Sequence, residues 1–510
     1  MDAPVPALAD RAAACAEHLL GADRVLLASH IDADGLTSAA VAASALERAG
    51  IPHEVVFEKQ LDDAAIARMA ATDYETVLFT DFGSGQLETI AAHEAAGAFT
   101  PVVVDHHQPA DADTTYHLNP LCFGIDGASE LSGAGTAYVL ARAMAGASGN
   151  DGLAADGGAI LEDGDRSVDG RDGERSGDGQ DLTEPAAPDN RDLAALAIVG
   201  AVGDMQATGD GLSGANELIL EEGMEAGVVE PVEDLSLFGK QTRPLPKLLE
   251  YGTDVYVPGI SNDEGGALRF LDSLDLECHA DGEWRRWVDL TREEQRTVLS
   301  ALIRRAVERG VPASQVDDLV GTTYLLSREP EGTELRDATE FSTLLNATAR
   351  YDRADVGLAV CLGNREGALD RARQLLADHR RNLSRGIDLV ASEGVEYEEH
   401  VQWFDAGGEI RETIVGIVAG MAFGSDGIDR DRPIVAFADS DEPDARKVSA
   451  RGTHRLVADG LDLSVAIGEA ARAVGGDGGG HDVAAGATVP AGEERAFIER
   501  VDELVGEQRS

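Results

Sequence analysis

Residues 76–107 of the chain are TVLFTDFGSGQLETIAAHEAAGAFTPVVVDHH. The runs TVLFT and PVVV are short, apolar and rich in β-branched residues, which is typical of buried parallel strands. The stretch 86–96 between them has helical character, so the segment predicts a β-α-β unit. Each predicted strand is followed directly by an aspartate, Asp81 or Asp105.

The same alternation continues on the N-terminal side of this unit. RVLLAS (24–29) and HEVVFEK (53–59) predict two more strands, and the stretches 36–49 and 61–70 predict the helices after them. Four strands alternating with helices predict an α/β fold with an N-terminal doubly wound parallel sheet. Ligands of such sheets bind at the carboxyl ends of the strands, where three of these strands are closely followed by acidic residues.

Composition divides the rest of the chain. We predict an N-terminal domain over 1–235, a mostly helical connecting region over 236–320 and a smaller C-terminal α/β domain over 321–510. Residues 147–192 are rich in Gly, Asp and Ser and lack aromatic residues. This composition predicts a disordered acidic insertion within the first domain, with a linker between domains as the alternative.

The charge of the chain is extreme. Its 510 residues include 94 Asp plus Glu against 42 Lys plus Arg, a formal net charge of −52, and only four of the basic residues are Lys. The hydrophobic fraction of 43% is enough for ordinary cores. This pattern is typical of surfaces adapted to molar salt, as in extreme halophiles. It does not exclude a nucleic-acid partner, because molar salt screens charges beyond about 3 Å.

The cysteines and the N-terminal sequence indicate the cellular compartment in which we expect the protein. Cys15, Cys122, Cys278 and Cys361 are scattered and form no C-x-x-C pair, so neither a zinc knuckle nor a disulfide framework is indicated. The N-terminus lacks the basic region of a signal peptide, and no run of 18 apolar residues exists to span a membrane. We expect a cytoplasmic protein.

Two further loops carry acidic residues. HIDADG places Asp32 and Asp34 two residues apart after the first strand, so an extended segment would point both carboxylates to one side. Such a pair suits a hard divalent cation, although a plain turn explains it equally well. For Asp81, a helix N-cap is the alternative to a ligand.

The run Asp105–His106–His107 puts two imidazoles at a strand end, pointing in different directions. Asp204 ends the apolar helical stretch LAALAIVGAVGD, where an acidic residue opposes the helix dipole. Oxygen ligands with a few imidazoles favour Mn²⁺ or Mg²⁺ over Zn²⁺. Two such ions about 3.5–4 Å apart can share a carboxylate and act on a phosphodiester.

In this order and spacing, SHIDADGLTSA, FTDFGSG, VVVDHHQP and VGAVGDMQ resemble motifs I to IV of the DHH phosphoesterase superfamily. GGDGGGHDVAAG and VSARGTH resemble the DHHA1 substrate-binding domain. QTRPLPKLLEY, PGISNDEGGALRFL and RDATEFSTLLNATARYDRADVGLAVCLG resemble archaeal RecJ-like proteins, so the likeness covers nearly the whole chain. It implies a DHH domain followed by a DHHA1 domain.

The resemblance also implies roles for residues of this sequence. The metal ligands that it implies are Asp32, Asp34, Asp81, His106 and Asp204, with Asp81 bridging two ions. Asp105 is implied as a ligand or as a group that orients a neighbouring histidine, and His30 as a ligand or a neighbour of one. His107 is implied to face the scissile phosphate, so Asp81, Asp105, His106 and His107 form the catalytic set. Substrate phosphates are implied to contact Arg451, Gly478, Gly479, Gly480 and His481, although a bare glycine run is more often a flexible loop.

The function implied is a metal-dependent exonuclease on single-stranded DNA or RNA, using a hydroxide held between two divalent cations, Mn²⁺ in preference to Mg²⁺. One alternative is a phosphodiesterase for short oligonucleotides or cyclic dinucleotides. Another is a scaffold of a replication complex, since archaeal RecJ-like proteins are often associated with the GINS complex. We expect no membrane partner.

Overall fold

The computed structural model describes residues 3–154, 189–209, 211–252, 255–425, 427–440 and 442–509. They form two compact units, Met1–Ala349 with Arg353–Leu369 and Arg350–Asp352 with Asp370–Ser510. Among the described helices, none combines the length and the apolar character that crossing a membrane requires.

The first unit contains thirteen α-helices and nine strands among its described residues. Its helices are α1 (Ala9–Leu20), α2 (Ala33–Arg48), α3 (Asp63–Ala70), α4 (Leu87–Ala95), α5 (Gly133–Ala154), α6 (Ala194–Gly203), α7 (Ala215–Glu225), α8 (Leu245–Glu250), α9 (Glu264–Asp272), α10 (Arg292–Glu308), α11 (Ala313–Asp317), α12 (Ala338–Arg350) and α13 (Ala354–Cys361). Its strands are β1 (Val25–His30), β2 (His53–Glu58), β3 (Thr76–Thr80), β4 (Thr100–Val104), β5 (Tyr116–Leu118), β6 (Val229–Leu235), β7 (His279–Ala280), β8 (Glu283–Trp284) and β9 (Val320–Leu326).

The principal sheet of this unit has the strand order β2-β1-β3-β4-β5, and every pairing is parallel. The predicted doubly wound fold class is therefore confirmed. Its central strands are fully buried, because both faces of the sheet are covered by helices. Leu26, Phe79 and Val103 from three neighbouring strands meet Ile66 and Ile90 in one core. The sequence did not predict β5, because strands were predicted from apolar runs and this three-residue strand contains none.

Most of the long charged helix α14 (Gly367–Glu393) belongs to the second unit, which includes it from Asp370 onward. Its other helices are α15 (Val415–Ala422), α16 (His454–Ala458), α17 (Leu463–Ala473) and α18 (Glu494–Gln508). Its strands are β10 (Glu396–Tyr397), β11 (Gln402–Asp405), β12 (Ile434–Asp439), β13 (Ala445–Arg451), β14 (Asp477–Gly480) and β15 (Ala484–Pro490). They form a mixed sheet in the order β10-β11-β12-β13-β15-β14, as the predicted C-terminal α/β domain requires.

We predicted that the C-terminal domain begins at residue 321, but the residues that follow 320 pack with the first unit. β9 pairs antiparallel with β6, and the peptide nitrogen of Ala33 donates to the side chain of Asn346 at 3.0 Å. These contacts place 321–349 and 353–369 in the first unit. A change of local pattern near 320 does not reveal such pairings, because they join residues far apart in sequence.

The predicted acidic insertion, 147–192, lies in large part outside the described residues, which resume at residue 189. Its first residues, 147–154, continue α5. At its other end, the side chain of Asn190 donates to the carbonyl oxygen of Ala141 at 2.7 Å. After the segment, the described chain therefore resumes in contact with α5 of the first unit.

Candidate metal centre

The order of the principal sheet decides where polar groups gather. The strand order reverses between β1 and β3, which are neighbours although β2 lies between them in sequence. A reversal of this kind opens a crevice at the carboxyl ends of the two strands. His30 ends β1, and Asp81 follows β3 directly, so both lie at this crevice.

Asp32 and Asp34 have different local roles. Asp32 is the N-cap of α2 and accepts a hydrogen bond from the Gly35 nitrogen at 3.0 Å. Because α2 already begins at Ala33, the extended segment assumed for HIDADG is wrong. Asp34 is buried in the first turn and accepts hydrogen bonds from the nitrogens of Gly133 at 2.7 Å and Ala134 at 2.9 Å. The positive N-terminal end of α5 thus fixes this carboxylate.

Asp81 is buried and faces two imidazoles. Its φ of 60° lies in the left-handed region, which aspartate tolerates better than most residues. Asp81 Oδ1 lies 3.2 Å from His106 Nε2, and Asp81 Oδ2 lies 3.7 Å from His30 Nδ1. The next helical turn, Ser84–Gln86, has Gly83 as its N-cap, so capping does not explain Asp81.

The Asp105–His107 run is organised by its carboxylate. Asp105 Oδ1 accepts hydrogen bonds from the His106 nitrogen at 2.7 Å and from His107 Nδ1 at 2.8 Å. Asp105 Oδ2 accepts one from the Ser84 nitrogen at 2.8 Å. The His106 side chain is 5% exposed and that of His107 is 56% exposed, so one ring points inward and the other outward.

His106 is oriented toward the carboxylates by its other ring nitrogen. Its Nδ1 lies 2.6 Å from the carbonyl oxygen of Gly127, which can only accept, so Nδ1 is the donor. In the neutral ring, Nε2 is therefore the nitrogen with the lone pair, and it lies 3.2 Å from Asp81 Oδ1 and 3.7 Å from Asp34 Oδ2. This is the tautomer that a metal-ligating imidazole needs.

Asp204 follows α6 and approaches His106 from another side, with 3.8 Å between Asp204 Oδ2 and His106 Nδ1. The buried Gln206 donates through Nε2 to Asp204 Oδ2 and to the Gly127 oxygen, both at 2.8 Å. Gln206 Oε1 accepts in turn from the Asn216 side chain at 2.6 Å. Sequence reasoning missed Gln206, although it stands inside the quoted motif VGAVGDMQ.

A second buried amide supports the His107 loop. Asn119, directly after β5, donates to the carbonyl oxygen of His107 at 2.9 Å and to Ser84 Oγ at 2.8 Å. Sequence reasoning missed it as well, because nothing in the local sequence distinguishes this asparagine from a turn residue.

The carboxylates perturb one another and the imidazoles. Burial, together with the carboxylates of Asp81 and Asp204, raises the pKa of Asp34 well above its usual value. Burial alone would raise the pKa of Asp81, but the imidazoles of His106 and His30 bring it below its usual value. Burial alone would lower the pKa of His106, but the Asp81 carboxylate raises it to about 11. Carboxyl groups and imidazoles are therefore close enough on the buried side of this crevice to shift one another's pKa.

Ligand atoms converge in three overlapping sets, within 4.8 Å of one another in each. The sets are Asp81, Asp105, His106 and His107; His30, Asp32 and Asp81; and Asp34, His106 and Asp204. Every metal ligand implied by the sequence resemblance belongs to at least one of them.

The residues fit divalent cations. Among the described residues, buried Asp81 Oδ1 and His106 Nε2 have no hydrogen-bond partner, and they face each other. Carboxylate oxygens with imidazole nitrogens, and no thiolate, are donors that suit Mn²⁺ and Mg²⁺. The Asp81 carboxylate needs a glycine at position 133, because a Cβ there would lie 2.4 Å from Asp81 Oδ1.

The predicted phosphate-contacting residues belong to the second unit. Arg451 ends β13 opposite Ala484, and the His481 nitrogen donates to the Ala484 oxygen at 2.8 Å, so register brings them to one end of the sheet. Gly478–Gly480 form part of the edge strand β14. A Cβ at Gly478 would meet the Ala487 Cβ at 2.7 Å, whereas Gly479 borders open space.

The fold and these carboxylate and histidine sets are those of an α/β phosphoesterase, and comparison with known families agrees. The DHH family, N-terminal domain, matches residues 24–156, the DHH-CID domain matches 237–320, and the DHHA1 domain matches 401–507. The chain thus contains a DHH domain, a DHH-CID domain and a DHHA1 domain in this order, which are domains of the DHH/DHHA1 phosphoesterase superfamily. The superfamily resemblance found in the sequence is confirmed.

Individual relatives resemble this chain over nearly its whole length. An uncharacterized protein of Methanocaldococcus jannaschii is 28% identical over 488 residues, which cover 94% of this chain and 93% of that protein. RecJ from Thermus thermophilus, solved with Mn²⁺, has a TM-score of 0.57 at 16% identity and covers 99% of this chain. This chain spans 55% of that RecJ. CDC45 from Entamoeba histolytica has a TM-score of 0.59 at 10% identity, over 98% of this chain and 97% of its own. At these identities the two structures establish a shared fold.

Proposed function

We propose that the protein is a metal-dependent phosphodiesterase that removes nucleotides from an end of single-stranded DNA or RNA. The observation that carries this proposal is the position of Asp81, which belongs to two ligand sets and faces His106 with one oxygen and His30 with the other. A carboxylate in that position suits a bridge between two cations. RecJ from Thermus thermophilus, which shares the fold, has been solved with Mn²⁺ and with Mg²⁺.

Each side chain has a role in this proposal. His30, Asp32, Asp34, Asp81, His106 and Asp204 would hold two divalent cations, Mn²⁺ in preference to Mg²⁺. When bound, such cations activate water and neutralise charge at a scissile phosphate. Asp105 has both oxygens occupied by hydrogen bonds, so it acts as a positioning residue for His106 and His107.

The outward His107 would contact the phosphate. Its Nδ1 is tied to Asp105, which leaves Nε2 for the substrate. The hydrogen bond to Asp105 raises the pKa of His107, so the ring tends to carry a proton that it can donate to a phosphate oxygen.

The second unit would bind the strand away from the reacting phosphate. Burial, and then the Arg350 guanidinium, lower the pKa of Arg451. A phosphate bound beside Arg451 would therefore stabilise its charged form. We assign phosphate contacts to Arg451, to the backbone of Gly478, Gly479 and Gly480, and to His481, which is exposed.

The fold shared with CDC45 favours a second candidate, a scaffold in a replication complex with a partner such as GINS. The complete ligand set argues for retained catalysis, with which a scaffold role is compatible. A phosphodiesterase for short oligonucleotides or cyclic dinucleotides is the remaining alternative.

An assay on end-labelled DNA and RNA strands, short and long, with Mn²⁺ in high salt tests these functions. The exonuclease predicts stepwise shortening from one end, with long strands preferred. Exclusive cleavage of dinucleotides supports the alternative enzyme. No hydrolysis of any of these substrates by protein that binds Mn²⁺ contradicts the proposed catalysis.

A further inference from the structure

A pocket of about 470 Å³ lies within the first unit, next to the candidate metal centre. Val202, Met205 and residues 207–209, on either side of Asp204, form one wall of it. The rest comes from the segment after β6, the first residues of β9 and the start of α12. Its volume is in the range of about 300–1,000 Å³ that is usual for ligand pockets.

Met205 is unusual in two respects. Its side chain is 87% exposed, more than any other large hydrophobic residue among the described ones, of which Val307 follows at 60%. Its φ of 60° lies in the left-handed region, which residues with a side chain adopt rarely. This backbone turn sends Asp204 toward the ligand sets and Met205 outward. A flexible, polarisable thioether at a pocket wall suits contact with an aromatic ring.

The other walls are polar but poorly suited to a phosphate. Lys240 is buried and donates through Nζ to the Leu235 oxygen at 2.8 Å and to Thr323 Oγ1. The Lys240 ammonium already has the carboxylates of Asp234 and Asp337 within 3.8 and 3.9 Å, and the buried Glu340 shares this end of the pocket, so no cation is left over for an anion there. Nearer the solvent are the hydroxyl groups of Ser236, Thr322 and Thr339. A neutral planar group with a polar edge fits this lining better than a charged one.

A cation lies beside the pocket as well as in it. Of the three basic residues of 238–251, Lys240 lines the pocket, Lys247 is paired with Glu250 and Glu264, and Arg243 lies outside the lining. The Arg243 guanidinium stacks 4.9 Å from the ring centre of Phe238, which lines the pocket. A strand whose base enters the pocket would therefore have a cation beside its backbone.

We infer that this pocket receives one base of the single strand whose phosphodiester is held at the metal centre. The inference rests on the proposed nuclease function and adds a base-binding subsite to it. The Met205 side chain lies against the face of the base, and the polar lining meets its edge. Arg243 contacts a backbone phosphate of a neighbouring nucleotide. Because contact with a ring face is tolerant of sequence, the subsite holds the strand without selecting a base.

The test compares KM and kcat for Met205→Ala with those for wild type on a labelled single strand. The matched control is Met224→Ala, since Met224 is 49% exposed on α7 and lies outside the pocket. A second variant, Ser236→Trp, fills the pocket from its exposed side. Each protein is also assayed on strands in which one abasic site is moved along the sequence.

We expect Met205→Ala to raise KM about five- to thirtyfold with kcat nearly unchanged, as is usual for the loss of one stacked base. Ser236→Trp raises KM similarly, and Met224→Ala behaves as wild type. At one abasic position, wild type and Met205→Ala become equal, which locates the base in the pocket.

Two results overturn the inference. One is an unchanged KM in both pocket variants. The other is an abasic penalty that is the same in wild type and Met205→Ala at every position. If either result is found while wild-type protein cleaves strands normally, the base-binding subsite is refuted and the proposed nuclease function stands. If wild-type protein loaded with Mn²⁺ cleaves no strand, the proposed nuclease function fails, and the subsite fails with it.

Discussion

One residue, Asp81, connects two of the ligand sets of the candidate metal centre, and its backbone conformation makes this possible. Its left-handed backbone directs one oxygen to His106 and the other to His30. Its partners come from the ends of different strands, and Gly133 leaves room for its carboxylate. The position of Asp81 is therefore set by three segments that are distant in sequence.

We predict that Asp81→Asn lowers strand hydrolysis roughly a thousandfold or more, because a bridging ligand serves both cations. The amide has the same shape, so the fold is retained. Manganese titration followed by paramagnetic resonance checks this, since the coupled two-ion signal of wild type disappears. Asp23→Asn, at an exposed carboxylate, is the control. Near-normal turnover by Asp81→Asn in excess Mn²⁺ would refute the two-ion site.

Gln206 acts through two groups that it touches, Asp204 and the Gly127 carbonyl. We predict that Gln206→Leu weakens Mn²⁺ binding about ten- to a hundredfold, as is usual when the partner of a metal ligand is lost. Calorimetric titration measures this directly, and saturating Mn²⁺ restores most of kcat. A variant with unchanged Mn²⁺ affinity but reduced thermal stability would assign Gln206 a structural role alone.

At the scale of elements, apolar runs predicted the principal sheet closely. β3 has the predicted bounds, 76–80, and β1, β2 and β4 deviate by one residue at their ends. The ligand sets were also predictable, because the carboxyl ends of parallel strands meet at one edge. Asn119, Gln206 and Asn346 were not, because each acts through a hydrogen bond to a residue whose proximity depends on the folded packing.

The packing of α6 against α2 and α5 depends on a glycine. A Cβ at Gly200 would lie 2.4 Å from both the Ala134 Cβ and Asp34 Oδ1. We predict that Gly200→Ala destabilises the fold by about 1–3 kcal/mol through overpacking, despite the better helix propensity of alanine. Denaturant unfolding of metal-free protein measures this. Gly367→Ala, where a Cβ meets nothing within 4 Å, is the control and should be neutral or slightly stabilising.

The start of α12 is tied to the segment after β6 by Glu340, which accepts hydrogen bonds from the Gln241 nitrogen and Thr242 Oγ1. Burial raises the pKa of Glu340 from its usual 4.5 to about 7. A folded pKa above the unfolded value means that the folded state binds the proton more tightly. The stability from this group is complete below pH 4.5 and is lost as the pH rises through 7.

In Glu340→Gln, Oε1 can still accept from the Gln241 nitrogen and Nε2 can donate to the Thr242 hydroxyl. We therefore predict that this variant gains stability relative to wild type as the pH rises from about 5 to about 9. One pKa unit corresponds to about 1.4 kcal/mol, so the relative gain is at most about 3 kcal/mol. Unfolding free energies measured at both pH values check this. Parallel pH profiles for the two proteins would show that the carboxyl group is ionised in the fold at both values.

At the scale of the whole molecule, the candidate metal centre lies within the first unit, whereas the residues proposed to hold distant phosphates belong to the second. Chemistry and strand binding can therefore be altered separately. This division was visible in the sequence as two groups of motifs. The boundary between the units was not, because it depends on the β6–β9 pairing and on the contact of Asn346 with Ala33.

The net charge of −52 leads to a prediction about the stability of the whole chain. Repulsion among exposed carboxylates destabilises a compact state, and salt shortens its range from about 10 Å at 0.1 M to about 3 Å at 1 M. We predict that the midpoint of thermal unfolding rises by several degrees as KCl increases from about 0.1 M to about 2 M. The control replaces exposed carboxylates such as Glu88 and Glu221 by lysine. This variant should exceed wild type in dilute KCl and approach it in molar KCl, because screening removes the repulsion that the substitutions relieve. If salt lowers the midpoint, or raises it equally in both proteins, then repulsion between surface carboxylates does not limit the stability of this fold.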